Sequence, residues 1–124
     1  MKSPRSKKSA APAMQVVNLE AGMPAVPQAL SRLADALRSA RQRPGSALKI
    51  IHGWGSTGVG GALRLAVQRE LAQAAARGEL RAFIAGEDWR ISNQDAWDLL
   101  QQFPQLKQDS DLGRGNKGIS IAWL

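Results

Sequence analysis

The residues best suited to chemistry lie in one short stretch around His52, the only histidine of the chain. The apolar run from Leu48 to Ile51 ends at this histidine, and five glycines occupy the nine positions from 53 to 61. A helical pattern begins directly afterwards. A strand that leads a titratable ring into a glycine-rich turn before a helix brings an imidazole beside a row of backbone N–H groups. This composition is typical of an anion site, and phosphate is the most common ligand of such sites.

Two roles are open to His52, and two to the nearby Trp54. His52 is a candidate general base or phosphate contact, while the alternative is a hydrogen bond to a loop carbonyl with no further function. Its position immediately before the glycines favours a functional role. Trp54 is placed either to stack on a base or sugar or to fold back over the following helix. The sequence does not decide between these two interpretations of Trp54.

Other catalytic groups are scarce. The chain has no cysteine and no tyrosine, which excludes disulfides, thiolate chemistry and zinc sites built on sulfur. Ser56 is not in a nucleophile-elbow pattern, so a serine hydrolase is not supported. Hydrolysis would have to pair His52 with a carboxylate such as Glu20, which could hold Mg²⁺ or Mn²⁺. The sequence indicates no other cofactor.

The glycine spacing also resembles two nucleotide-binding motifs, and the sequence favours neither. Residues 53–58 match G-x-G-x-x-G, but Glu79 precedes the next strand and Glu87 comes too late for the ribose-binding acid. Residues 55–60 have the glycine spacing of a P-loop but lack the Lys-Ser/Thr pair that follows it. Neither dinucleotide binding nor nucleoside triphosphate hydrolysis is therefore predicted.

Positive charge is concentrated around the glycine loop. The formal net charge is +7, and residues 32–81 hold nine bases against three acids. Residues 1–14 hold four bases and no acid, and their composition predicts a disordered basic tail. This distribution favours a polyanionic partner, DNA or RNA, although a basic surface can also serve solubility alone. The candidate phosphate contacts on the two flanking helices are Arg38, Arg41, Arg43, Arg64 and Arg69.

The hydrophobic periodicity predicts one α/β domain over residues 15–124, in the order β-α-β-α-β-[α]-β. We expect strands at 15–20, 47–52, 80–85 and 118–124, main helices at 27–43 and 61–77, and a short helix after a capping box that begins at Ser92. Right-handed crossovers make the first strands parallel, so their carboxyl ends share one end of the sheet. Glu20, His52 and the Glu87-Asp88 pair should meet there. The remaining tryptophans, Trp89, Trp97 and Trp123, are assigned to the core or its rim.

No apolar stretch approaches the roughly 20 residues that a membrane span requires. The start of the chain also lacks the apolar region of a signal peptide. We therefore expect a cytoplasmic monomer with no membrane partner.

The motif from Ile50 to Gly55, with the glycines and the Leu-Arg helix start that follow, resembles the H-G-x-G-x-G signature of the Smr (small MutS-related) domain. The ending Gly118-Ile119-Ser120-Ile121 is similar to the G-x-[TS]-x-V strand of that domain. The resemblance implies a two-layer sandwich of two helices on a four-stranded mixed sheet, like the carboxyl-terminal domain of translation initiation factor three. It also implies binding of DNA or RNA, and several members of the family are endonucleases.

One departure from the family pattern affects the predicted activity. The first strand of the family usually ends L-D-x-H-G, but this chain has Asn18 in place of the Asp and Glu20 in place of the His. We therefore predict a nucleic-acid-binding domain, with a metal-assisted endonuclease and a protein-interaction module as alternatives. The candidate catalytic residues are His52 and Glu20. The predicted nucleic-acid contacts are Gly53, Trp54, Gly55, Ser56, Thr57, Gly58, Gly60, Gly61, Arg64 and Arg114.

Overall fold

A computed structural model describes residues 14–54 and 59–124. Its elements are β1 (Met14–Asn18), α1 (Val26–Ala40), β2 (Ala47–Ile51), α2 (Val59–Ala76), β3 (Ala82–Ala85), α3 (Gln94–Gln102) and β4 (Ile119–Trp123), with short 3₁₀ turns at Gly86–Asp88 and Pro104–Gln108. This order is the predicted one, and the bounds shift by only a few residues. The predicted basic tail lies outside the described residues, except for Met14, which begins β1.

The four strands form one mixed sheet in the order β1-β2-β4-β3. β1 and β2 are parallel neighbours, as predicted, and β4 runs antiparallel between β2 and β3. All five residues of β4 are buried, which suits a central strand that is covered on both faces. β1, β2 and β3 therefore point the same way. We call the end of the sheet that holds their carboxyl ends and the start of β4 the loop end, and the other the opposite end.

One face of the sheet packs against α1 and α2. α1 buries Ala29, Leu33 and Leu37, which recur every four residues and lie on one side of the helix. They share an apolar cluster with Ile50 of β2 and Leu71 of α2. Pro27 lies in the first turn of α1, where a missing N–H costs no hydrogen bond. This helix-on-sheet packing is the two-layer arrangement predicted from the sequence.

The segment between β3 and β4 covers the other face. Trp89 and Leu99 are fully buried there against Ile84 and Ile121 of the sheet. The helix in this segment, α3, begins after Asn93, whose side chain accepts a 3.0 Å hydrogen bond from the N–H of Ala96. The cap is therefore Asn93, one residue after the Ser92 predicted from the sequence.

A buried ion pair fastens this covering segment to β2. Lys49 is only 5% exposed, and its Nζ donates to Asp109 Oδ1 at 2.7 Å and to Asp111 Oδ2 at 2.6 Å. The indole of Trp89 donates to Asp109 Oδ2 at 2.9 Å. Burial acts to lower the pKa of Lys49, but the hydrogen bonds to both carboxylates outweigh burial and raise it. The charged lysine thus fixes the loop that leads into β4 and the loop end.

Candidate nucleic-acid interface

Backbone hydrogen bonds join three segments at the loop end. Leu19, just after β1, donates its N–H to Ile51 O at 2.8 Å. The N–H groups of His52 and Gly53 both donate to Gly118 O, at 2.9 and 3.0 Å. The residue that follows β1 is therefore tied to the last residue of β2, and the two residues that follow β2 are tied to the residue that precedes β4. The topology prediction brought His52 to this end of the sheet, and the structure places it there.

His52 is completely buried at this junction. Its Nδ1 contacts the carbonyl oxygen of Gly53, and its Nε2 lies 2.9 Å from Ser120 Oγ. Because a carbonyl only accepts, Nδ1 carries the proton and donates, and the neutral Nε2 accepts from the serine hydroxyl. Burial lowers the pKa of His52, against the hydrogen bond to Gly53. The neutral ring therefore holds the start of the loop, and a catalytic role for His52 stays a prediction.

Gly53 and Glu20 lie against each other on the surface of this junction. Gly53 has a φ of +71°, which favours glycine, and a Cβ built there would lie 2.2 Å from Glu20 Oε2. Glu20 is exposed, and its N–H donates to Asn18 Oδ1 at 2.8 Å. Asn18, in the position of the family acid, thus closes a turn that sets Glu20 beside the loop.

The predicted phosphate contact Arg64 is paired with a carboxylate. Arg64 lies near the start of α2, and its Nη2 donates to Glu87 Oε2 at 3.0 Å. Within the described residues, neither Arg64 Nε nor Glu87 Oε1 has a hydrogen-bond partner, although both atoms are buried. The pair is therefore incomplete on both sides. The sequence brought Glu87 to the loop end but did not reveal that it pairs with Arg64.

Trp54 and Lys117 form the most exposed part of the loop end. Trp54 is 56% exposed, so a large part of its indole is accessible, and its stacking role stays a prediction beside the alternative in which it covers the following helix. Lys117 Nζ lies 5.8 Å from the centroid of the indole ring. Lys117 is not among the contacts predicted from the sequence, although its position next to the Gly118 of the final-strand motif is a signal for it.

A second hydrogen-bond network positions Lys117. The neighbouring Asn116 accepts the Gly118 N–H at 2.8 Å and donates to Asp111 Oδ1 at 2.9 Å. Burial would raise the pKa of Asp111, but hydrogen bonds from Lys49 and Asn116 hold it below the usual range. Asp111 and Asn116 thereby connect the buried Lys49 ion pair to the loop end through hydrogen bonds. Arg114, also predicted as a contact, is exposed in the turn before Asn116.

The remaining predicted loop residues are divided between two locations. Gly60 and Gly61 lie in the first turn of α2, whose backbone N–H groups have no carbonyl partner within the helix. The predictions for Gly55, Ser56, Thr57 and Gly58 lie outside the described residues. They stay predictions.

The basic residues predicted on the helices separate into two groups. Arg64 is at the loop end, whereas Arg41 lies at the opposite end, where its Nη2 is 2.8 Å from Glu79 Oε1. Arg38 pairs with Asp35 at 2.8 Å one turn earlier on α1. Arg43 follows the end of α1, and Arg69 is exposed in the middle of α2. These four arginines are therefore not gathered around the loop.

The loop end does not offer a cage for a divalent cation in the described part of the chain. Within residues 14–54 and 59–124, no three His, Cys, Asp or Glu side chains lie close enough together to hold a metal ion. Glu87 is engaged by Arg64, and His52 uses both ring nitrogens internally. These residues do not fit the Mg²⁺ or Mn²⁺ site of the nuclease hypothesis, and no step through a metal is assigned to them.

The fold and this site together define an α/β domain with a histidine–glycine loop at the carboxyl ends of its parallel strands. The sequence profile of the Smr domain matches residues 22–87, and the chain belongs to this family. The match ends at Glu87, so α3 and β4 lie beyond the matched residues. No curated protein and no solved structure matches the chain. None of the described helices is long and apolar enough to cross a membrane.

Proposed function

We propose that this protein binds DNA or RNA at the loop end, through the phosphate groups and at least one base. Smr domains are nucleic-acid-binding, nuclease-like domains, and membership of the family supports this general kind of function. The observation that carries the finer proposal is the exposed Trp54 with the Lys117 ammonium beside its ring. An aromatic surface beside a cation fits a nucleotide, which combines a flat base with an anionic phosphate.

Electrostatics support phosphate as the charged part of the ligand. The N–H groups of the first turn of α2 and the positive end of its dipole favour an anion there. The net charge of +7 adds long-range attraction for a polyanion. In this proposal His52 is a positioning residue, because its ring is buried and donates a hydrogen bond to the carbonyl of Gly53.

The test is the affinity of the full chain for a fluorescently labelled DNA duplex and an RNA hairpin, measured by anisotropy over a range of salt. With about four to six phosphate contacts, log K should fall against log salt with a slope of roughly −4 to −5 on duplex DNA. Lys117→Gln should weaken binding, and Lys107→Gln, which changes an exposed lysine on the covering segment, should not. Absence of binding to every nucleic acid tested would contradict the proposal.

Hydrolysis of the bound strand is a second candidate. It is favoured by the nuclease-like character of the family and by the exposed Glu20 carboxylate beside Gly53. Supercoiled plasmid and labelled RNA are incubated with Mg²⁺, Mn²⁺ or a chelator, using the wild type, Glu20→Gln and His52→Ala. Cleavage that both variants abolish would establish an enzyme centred on this end. A gel shift without cleavage would support binding alone. The absence of both cleavage and a gel shift would favour a protein partner.

A further inference from the structure

We propose that the loop end selects an unpaired nucleotide, whose base stacks on Trp54 while Lys117 binds its phosphate. This inference rests on the proposed function and names its substrate class. The tryptophans differ in exposure and in the hydrogen bonds of their indole N–H groups. Trp89 and Trp123 are 0% and 8% exposed and donate their indole N–H to Asp109 and to the Gly45 carbonyl, respectively. Trp54 is 56% exposed, and its indole makes no hydrogen bond within the described residues.

The indole of Trp54 lies beside the start of β4 although it is exposed. A Cβ built at Gly118 would lie 3.7 Å from Trp54 Cδ1, so the ring lies beside the start of β4. The residue before Trp54 donates its N–H to Gly118 O at 3.0 Å. The indole is therefore a flat surface next to a hydrogen-bonded backbone, which limits the backbone entropy lost when a base stacks on it.

Lys117 supplies a charge at the distance scale of one nucleotide. Its Nζ is 5.8 Å from the ring centroid, and Lys117 lies between Asn116 and Gly118, which the Asn116 side chain ties together. A cation–π contact at an exposed site is weak, so the ammonium can turn to a phosphate at little cost. No carboxylate lies within ion-pair distance of Lys117 in the described residues. Its charge is thus available to the ligand.

The ligand must offer a base with an uncovered face. In a duplex each base is stacked on its neighbours, and an indole can reach a base face only at an unpaired, bulged or terminal position. A perfect duplex would use only the phosphate contacts. The Trp54–Lys117 pair therefore predicts a preference for unpaired nucleotides over paired ones of the same length and charge.

The experiment compares three probes of about 12 nucleotides at one salt concentration: a single strand, its perfect duplex and a duplex with one bulged base, each as DNA and as RNA. We expect Trp54→Ala to weaken single-strand and bulge binding by about 5- to 150-fold, the range of base–aromatic stacking, and to leave the duplex unchanged. Trp54→Phe should keep most of the affinity. Trp97→Ala, which removes a 43% exposed tryptophan from α3, is the matched control and should have no effect.

Lys117→Gln tests the second half of the pair. It should reduce the salt slope on single strands by about 0.7, the contribution of one phosphate contact, and Lys117→Arg should restore it. If all probes fail to bind, the proposed function itself is wrong. If the perfect and the bulged duplex bind equally, or Trp54→Ala weakens both by the same factor, binding stands and this inference is overturned.

Discussion

Each end of the sheet contains a basic side chain beside a tryptophan ring, but the tryptophan is buried at one end and exposed at the other. At the opposite end, Arg81 lies 5.4 Å from the Trp123 ring, and at the loop end Lys117 lies 5.8 Å from the Trp54 ring. Trp123 is 8% exposed and its indole N–H donates to Gly45 O at 2.9 Å, whereas Trp54 is 56% exposed. A tryptophan–cation pair is therefore packing at one end and an accessible surface at the other. The surroundings, and not the residue types, decide which it is.

The charges differ in the same way. At the opposite end, Arg41 and Arg77 both contact Glu79, at 2.8 and 2.7 Å, and join the ends of α1 and α2. At the loop end, Arg64 makes one contact with Glu87 in the described part of the chain, at 3.0 Å. The opposite end thus forms more arginine–carboxylate contacts than the loop end, although in the described residues Arg43 Nε there and Arg64 Nε at the loop end both lack a hydrogen-bond partner.

The largest expected effect tests the two tryptophans directly. Trp123→Ala should cost about 3–5 kcal/mol of unfolding free energy, as truncation of a buried tryptophan does, while Trp54→Ala should cost about 0.5 kcal/mol or less. Urea unfolding measures both. For nucleic-acid affinity we expect the opposite order, in which Trp54→Ala has a larger effect than Trp123→Ala. Equal losses of stability would show that Trp54 is a packing residue after all.

The next effect separates two glycines. A Cβ at Gly86 would lie 1.8 Å from Asn116 O and 2.6 Å from Ile119 O, whereas a Cβ at Gly78, near the opposite end, meets nothing within 4 Å. Gly86→Ala must push backbone apart and should cost about 3 kcal/mol or more of unfolding free energy. Gly78→Ala should cost only about 1–2 kcal/mol, because its φ of +79° strains an alanine. Similar unfolding midpoints for the two variants would contradict the close contact at the loop end.

The buried histidine predicts a pH dependence that belongs to the loop end. Because the folded pKa of His52 is lowered below about 6.5, the folded state binds fewer protons than the unfolded state. Its contribution to stability is complete above about pH 6.5 and is lost as the pH falls toward the folded pKa, by at most about 1.4 kcal/mol per pH unit. His52→Asn, which cannot titrate, should flatten the stability profile between about pH 7 and 5. Parallel profiles for the two proteins would show that His52 does not titrate in this way.

The smallest expected effect concerns the carboxylates that hold arginines. Glu87→Gln should release Arg64 to a phosphate, raise duplex affinity a few-fold and steepen the salt slope by about 0.9. Glu79→Gln is the matched change at the opposite end and should leave both quantities unchanged. If Glu87→Gln weakens binding instead, Glu87 orients Arg64 for the ligand. The Arg64–Glu87 pair would then be part of the binding site, and the proposed release of Arg64 would be wrong.

Part of the site followed from local sequence patterns. The apolar run before His52 predicts a buried strand, and parallel crossovers bring the residues after β1 and β2 to one end. The final-strand motif beside Lys117 marks the start of β4, but Lys117 reaches the loop end because β4 inserts between β2 and β3, and no local pattern specifies which neighbours a strand chooses. The same long-range pairing brings Ser120 to the imidazole of His52, 68 residues away in the chain.

The sequence by itself determined the element order, the glycine-rich start of the loop and the excess of positive charge, because periodicity, turn residues and composition are local properties. Only the tertiary structure decided that His52 is enclosed, that Lys49 is paired beneath the sheet and that Trp54 is exposed. Burial and ion pairing depend on groups that are distant in the chain and meet only when the sheet has formed. For that reason, folding assigned packing to one tryptophan–cation pair and left the other accessible to a ligand.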